Sequence, residues 1–261
     1  MLVSRSFGAT LFLASCALAA CGGGGGGDKP VDAATPDSSS DAGCATPKYT
    51  AEIIDWNANA TVFCGVNVAT AIVRGQASIT DTTNPNGRFE LCLAASTNPI
   101  TIDITPPTAA SECKSTIGKY TVPAVLTLQP AVISKPTLAS VRLLSDSELA
   151  DEYSGAGNGQ MFQPERGQLV IHIDGTPSRV ATLTGIDPMS CGPARQFNGT
   201  AWENVIGSTT AGTDVLYPDC MLMQVGGQMV ATVTTVALAD GRSAMLTVEP
   251  NKFTYVTIPA P

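Results

Sequence analysis

From Cys44 to the C-terminus the chain reads as short apolar and Thr-rich runs broken by Gly, Pro, Asn and Asp. Each run is strand-length, and the breaks carry turn chemistry. The runs predict strands at Tyr49–Trp56, Thr61–Ala69, Thr70–Ile79, Arg88–Ala94, Ile100–Thr105, Lys119–Leu128 and Ser140–Leu144. A second series covers Gln168–Asp174, Arg179–Thr184, Thr200–Val205, Asp214–Tyr217, Met229–Val236, Ala244–Glu249 and Phe253–Ile258. About seven strands per hundred residues is the density of a β-sandwich. The expected fold is therefore all-β, with two tandem sandwiches at 44–144 and 165–261. Between them Ser145, with Glu148 three residues later, is a capping-box pattern that predicts one short helix. A Gly-rich loop at 155–159 follows it, so 145–164 reads as the linker.

The N-terminal pattern is different. Arg5 precedes an apolar stretch from Phe7 to Leu18, 12 residues long. A bilayer span needs about 20 such residues, so residues 1–20 read as a secretory signal peptide. The stretch closes on Leu18-Ala19-Ala20-Cys21, which resembles the bacterial lipobox. That resemblance implies a multiply acylated Cys21 and a membrane partner reached through its lipid. Gly22 after it implies an outer-membrane address in a diderm bacterium. Residues 21–43 contain six consecutive glycines, then a Ser/Asp-rich run without apolar periodicity. Such a segment buries no core and reads as a disordered tether. Its 22 residues after Cys21 reach at most roughly 70–80 Å.

Composition narrows the function. Only 14% of residues are charged and the net charge is −8. A nucleic-acid binder needs a basic face, so no nucleic-acid partner is expected. Six cysteines remain beyond the signal peptide and Cys21: Cys44, Cys64, Cys92, Cys113, Cys191 and Cys220. An even set in an exported chain reads as disulfides. Cys191 and Cys220 stand alone in the C-terminal half and should pair. The other four allow three pairings. Alternation in Arg88–Ala94 puts Phe89, Leu91 and Leu93 on one face and Cys92 outward with Glu90. Cys64 shares a face with Val62, Val66 and Val68, which looks inward. Cys44–Cys92 and Cys64–Cys113 are therefore favoured.

The run from Ala71 to Thr80, followed by Asp81-Thr-Thr-Asn-Pro-Asn-Gly-Arg-Phe-Glu-Leu91, resembles the carboxypeptidase regulatory-like, transthyretin-like β-sandwich. In that family a strand enters an Asn-Gly turn and leaves as Gly-Arg-Phe-x-Leu. The resemblance covers roughly Val62 to Leu128. Gln168–Pro177 is similar to the opening strand and turn of related modules. Tether and paired sandwiches together resemble surface lipoproteins of myxobacterial type, a comparison that implies architecture and no activity.

No constellation for catalysis emerges. His172 is the one histidine. It shares a strand face with Val170 and Asp174, which makes it either a base oriented by Asp174 or a half-exposed strand residue. There is no Gly-x-Ser-x-Gly elbow and no His-Glu-x-x-His motif. Thr82-x-Asn84-x-Asn86-Gly87 resembles the start of a calcium loop, but Leu93 stands where a bidentate Glu is needed. No metal and no cofactor are expected. Trp202, set among polar residues, and Tyr217 are the candidate ligand-binding side chains, through ring stacking on a sugar; core packing, the usual fate of a Trp in such domains, is the favoured reading of Trp202. The expected function is non-catalytic: a binding or scaffolding module of the cell envelope, with a protein or polysaccharide partner. Carbohydrate binding is one alternative and a hydrolase another.

Overall fold

The computed structural model describes residues 44, 48–59, 63–110, 118–133, 139–154, 162–205 and 213–261. The expected signal peptide, the lipidated Cys21, the tether, Cys113 and the loop at 155–159 lie outside the described residues. Seven strands come first: β1 (Lys48–Asp55), β2 (Thr70–Val73), β3 (Thr80–Thr82), β4 (Arg88–Cys92), β5 (Ile100–Thr105), β6 (Ala124–Leu128) and β7 (Ala139–Leu143). A short helix α1 (Pro130–Ile133) separates β6 from β7, and α2 (Asp146–Ser154) follows. The later strands are β8 (Gly167–Ile173), β9 (Val180–Thr184), β10 (Arg195–Phe197), β11 (Trp202–Asn204) and β12 (Asp214–Cys220). They continue as β13 (Gln224–Val225), β14 (Gln228–Met229), β15 (Thr232–Leu238), β16 (Ser243–Val248) and β17 (Phe253–Ile258). Among the described residues the fold is all-β apart from two helices and one turn of 3₁₀ helix at Pro188–Ser190.

Among the described residues, nine strands form one mixed sheet in the order β11-β10-β12-β8-β17-β6-β5-β2-β3. It is antiparallel except at β17, which pairs in parallel with both β6 and β8. A three-stranded sheet β4-β1-β7 and another, β16-β15-β9, accompany it. Strand parity decides which core each side chain enters. Val170, Leu216, Phe253, Tyr255 and Leu126 join the β4-β1-β7 residues Phe89, Ile53 and Val141 in one cluster. Their neighbours Leu169, Ile171, Val215, Val256 and Ile258 join Leu183, Val236 and Leu246 from β9, β15 and β16 in a second. The central strands thus supply both clusters, and every residue of β17 is buried. This explains why β17 reads Phe-Thr-Tyr-Val-Thr-Ile rather than alternating with charge. β4 instead shows strict exposed–buried alternation, because it has one face in water.

The linker expected at 145–164 does not divide two bodies. Residues 43–261 form one compact unit, because the last strand of the chain, β17, lies beside β6 of the first series. The expected strand at Thr61–Ala69 is also absent over its described part, residues 63–69. There Gly65 makes a single bridge to Ile54, and Val68 takes a positive φ of 61°. A Cβ on Gly65 would sit 2.2 Å from the Asn86 carbonyl carbon, so this segment lies flat on the Asn86–Gly87 turn. Gly87, with φ 74°, is the turn's positive-φ residue, and its Cα faces the Ile53 carbonyl with no room for a side chain.

The helix expected after Ser145 is α2, and its capping box is complete. Glu148 Oε2 accepts from the Ser145 amide at 2.9 Å, and the Glu148 amide donates to Ser145 Oγ at 3.3 Å. Cys44 is bonded to Cys92 and Cys191 to Cys220, the pairings expected above. Cys64 is disulfide-bonded as well, and its expected partner Cys113 lies outside the described residues.

Candidate functional site

A buried polar cluster is centred on Asp214. It opens β12 directly opposite His172 of β8. Its Oδ1 is 2.9 Å from His172 Nδ1, and its Oδ2 accepts from Arg142 Nε at 2.9 Å. Arg142 belongs to β7 and is buried. Its Nη1 also donates to the carbonyls of Trp56 at 3.0 Å and Ala58 at 2.7 Å. The guanidinium carbon lies 3.9 Å from the centroid of the Phe197 ring, a cation–π contact. The Tyr255 hydroxyl donates to the Arg142 carbonyl. Arg142 therefore ties the β4-β1-β7 sheet to the nine-stranded sheet.

Burial resists ionisation of Asp214, but His172 and Arg142 outweigh it and hold the carboxyl below its ordinary pKa. Burial likewise opposes the imidazolium, yet the Asp214 hydrogen bond and charge, with Asp174 adding its charge, raise the His172 pKa. His172 is oriented by Asp214 across the ladder, not by Asp174 as the strand-face reading allowed. Its side chain keeps 31% exposure. A ring held at Nδ1 by a carboxylate offers Nε2 as an acid–base or hydrogen-bonding edge. Among the described residues no hydroxyl or thiol is hydrogen-bonded to Nε2, so no nucleophile–base pair forms there. Nor, among them, does any group of three or more His, Cys, Asp or Glu side chains come together to hold a metal.

Trp202 lies in the core and not on an open sandwich face. It is 8% exposed and stacks on Trp56 with centroids 4.3 Å apart and planes 9° apart. Phe197 packs on it at a tilt. No face of the ring is offered to a sugar. Tyr217 does not join it: Trp202 belongs to the first cluster, whereas half-buried Tyr217 packs against the second. The Thr82–Gly87 segment is a turn that carries the chain from β3 in the nine-stranded sheet to β4 in the β4-β1-β7 sheet. Asn84 Oδ1 accepts the amides of Asn86 and Arg88 at 3.0 and 3.1 Å, so its oxygen is turned onto its own backbone.

Two surface features escaped the sequence reading. One is a cleft of about 400 Å³ floored by Val73, Leu93, Ile79 and Ile100, with Arg74 and Ser96 at its rim. Arg74 is committed to Asp103 and Glu249. The other is the β13–β14 hairpin, which pairs only with itself among the described residues. Met221 and Met223, in the segment leading into β13, and Val225 of β13 are 45%, 57% and 60% exposed. Residues 221–239 carry no charge. That charge gap was visible in the sequence, but exposure was not, because the same composition suits a buried strand.

No family model, curated protein or solved structure matches this chain.

Proposed function

We propose that the protein is an exported, non-catalytic binding or scaffolding component of the cell envelope, anchored to the outer membrane through a lipid on Cys21. In fold terms we read the body as two β-sandwiches fused through the nine-stranded sheet, the first of carboxypeptidase regulatory-like type. The observation that carries the binding role is the uncharged β13–β14 hairpin with the segment leading into it, where Met221, Met223 and Val225 are exposed. In a chain of net charge −8 such a surface is costly to leave wet, and an exposed apolar patch marks an interaction site. Among the described residues β13 and β14 pair only with each other, and an extended polypeptide of an envelope partner can add to their outer edges. The disulfides at Cys44–Cys92 and Cys191–Cys220 support export to an oxidising compartment.

A photo-crosslinking residue at position 225, used in intact cells, tests the binding role. Position 189 is the control, since Met189 is 93% exposed and lies outside the hairpin. A discrete adduct at 225 that is missing at 189 supports the reading. No adduct at either position overturns it. Palmitate labelling of wild type and Cys21→Ala tests the anchor separately, and label surviving in the variant overturns it.

A further inference from the structure

Methionine is ordinarily a buried residue, yet four of the five described methionines, Met189, Met221, Met223 and Met245, stand exposed. Met221 and Met223 flank Leu222, which is 3% exposed and packs into the second core cluster. Cys220, just before them, is buried and bonded to Cys191. The Met223 amide donates to Thr232 Oγ1 at 2.9 Å, and its carbonyl accepts from the Val230 amide at 2.9 Å. The segment is thus pinned from the inside, and alternation turns both thioethers to water on the side of exposed Val225. Met229, paired with Gln224 across the hairpin, is instead half-buried against the second cluster. Resting on the docking reading above, we propose that Met221 and Met223 are oxidation sites that control it: a peroxide converts their thioethers to sulfoxides and so releases the polypeptide docked at the hairpin.

An exposed apolar surface needs no sulfur: leucine or valine would serve, as Val225 does. A thioether adds a chemistry that neither has. Its sulfur gives a lone pair to one peroxide oxygen, the O–O bond breaks and an S–O bond forms. The sulfur is oxidised, and the departing hydroxide takes the proton of the transferred oxygen and leaves as water. The product is polar where the side chain was apolar. On the free protein the new oxygen is hydrated. Under a docked apolar surface it is an acceptor without a donor, which penalises the bound state alone. The fold is spared, because Leu222 holds the segment to the core and has no sulfur, while Met229 is shielded. Export, which the disulfides support, puts the surface where oxidants are met. Thiol-dependent sulfoxide reduction restores the thioether: two thiols become a disulfide and the oxygen leaves as water.

The test uses the full chain in intact cells, with the photo-crosslinking residue at position 225 and a short hydrogen peroxide pulse before irradiation. The wild-type adduct is expected to fall about tenfold after the pulse, as two side chains cease to bury as apolar groups. Met221→Leu with Met223→Leu keeps the apolar surface without sulfur, and its adduct should survive the same pulse. Exposed Met189 and Met245 remain oxidisable in that variant, so its survival assigns the effect to Met221 and Met223. Met221→Gln with Met223→Gln imitates the polar product and should lose the adduct without peroxide. Peptide mass spectrometry should find the added oxygen on Met221 and Met223 and not on Met229, and thermal melting of the purified oxidised chain should match that of the untreated one. A wild-type adduct that survives the pulse, a loss equally large in the leucine variant, or an oxidised chain that melts early would each overturn the switch and leave the binding reading standing. No adduct in untreated wild-type cells would overturn the binding reading and the switch with it.

Discussion

Trp56 and Trp202 lie face to face, 4.3 Å between ring centroids, although one follows β1 and the other lies in β11. The stack joins the two strand series inside a single core, and it spends both indoles of the chain on packing. Trp202 Nε1 is buried there without a hydrogen-bond partner among the described residues. Trp202→Ala should therefore cost about 3–5 kcal/mol, since it removes the stack and opens a cavity. Trp202→Phe should cost only about 1–2 kcal/mol, because a ring remains and the unsatisfied N–H disappears. Urea unfolding of the two variants measures both, and equal losses would contradict the packing argument.

The β6–β17 pairing predicts cooperative unfolding of the whole 43–261 unit. Both indoles belong to the first cluster, so their fluorescence reports that core alone. Val248 is fully buried in the second cluster. Val248→Ala should destabilise by on the order of 2 kcal/mol and shift the fluorescence midpoint together with that of far-UV circular dichroism. Separated midpoints would show that the two cores unfold independently.

The Cys191–Cys220 bond closes a loop of 29 residues that contains β10, β11 and most of β12. Loop-closure entropy predicts that Cys191→Ser with Cys220→Ser loses about 3–4 kcal/mol. Thermal melting under non-reducing conditions checks this. A melting curve unchanged by the double substitution would mean that the loop gains nothing from the crosslink.

Much of this architecture was legible because strand periodicity is local. β5 and β17 lie where the apolar runs put them, and Ser145 with Glu148 announced α2. Outward-facing Cys92 was readable from its alternation with Phe89 and Leu91, and so was its disulfide. What failed was non-local. Nothing near Phe253 in the chain indicates that its strand will lie beside β6, so the two series looked separable. Thr61–Ala69 looked like a strand because nothing nearby reveals that Gly65 must lie on the Asn86–Gly87 backbone. Arg142 sits in an apolar run and Asp214 in a strand edge, and only the sheet-to-sheet contact makes them partners. Trp202 had polar neighbours in sequence, but its neighbours in space are Trp56 and Phe197.

Arg142 is the cation that makes a buried Asp214 tolerable. Arg142→Met keeps much of the volume and removes three hydrogen bonds, leaving the carboxylate with His172 alone. Breaking one side of a buried ion pair costs about 3–5 kcal/mol. The Arg142 charge also lowers the His172 pKa, so the variant's His172 should titrate at higher pH than the wild type's. Imidazole NMR titration reads this directly, and a His172 shift to lower pH would contradict the arrangement.

The same trio sets a pH dependence whose sign is fixed by the two shifts. The His172 pKa is raised above 6.5 in the fold, so its contribution is fully present below about 6.5 and is lost as pH rises through the folded value. Asp214 is lowered below 3.8, so its contribution is present above that and is lost as pH falls through the folded value. Glu148 acts in the same direction as His172 but in a lower window, between its unfolded 4.5 and about 7. Melting temperature should therefore fall as pH rises from about 4.5 through neutral. Glu148→Gln and His172→Gln should each make that fall shallower, and a melting temperature that rose over this range in the wild type would contradict both shifts.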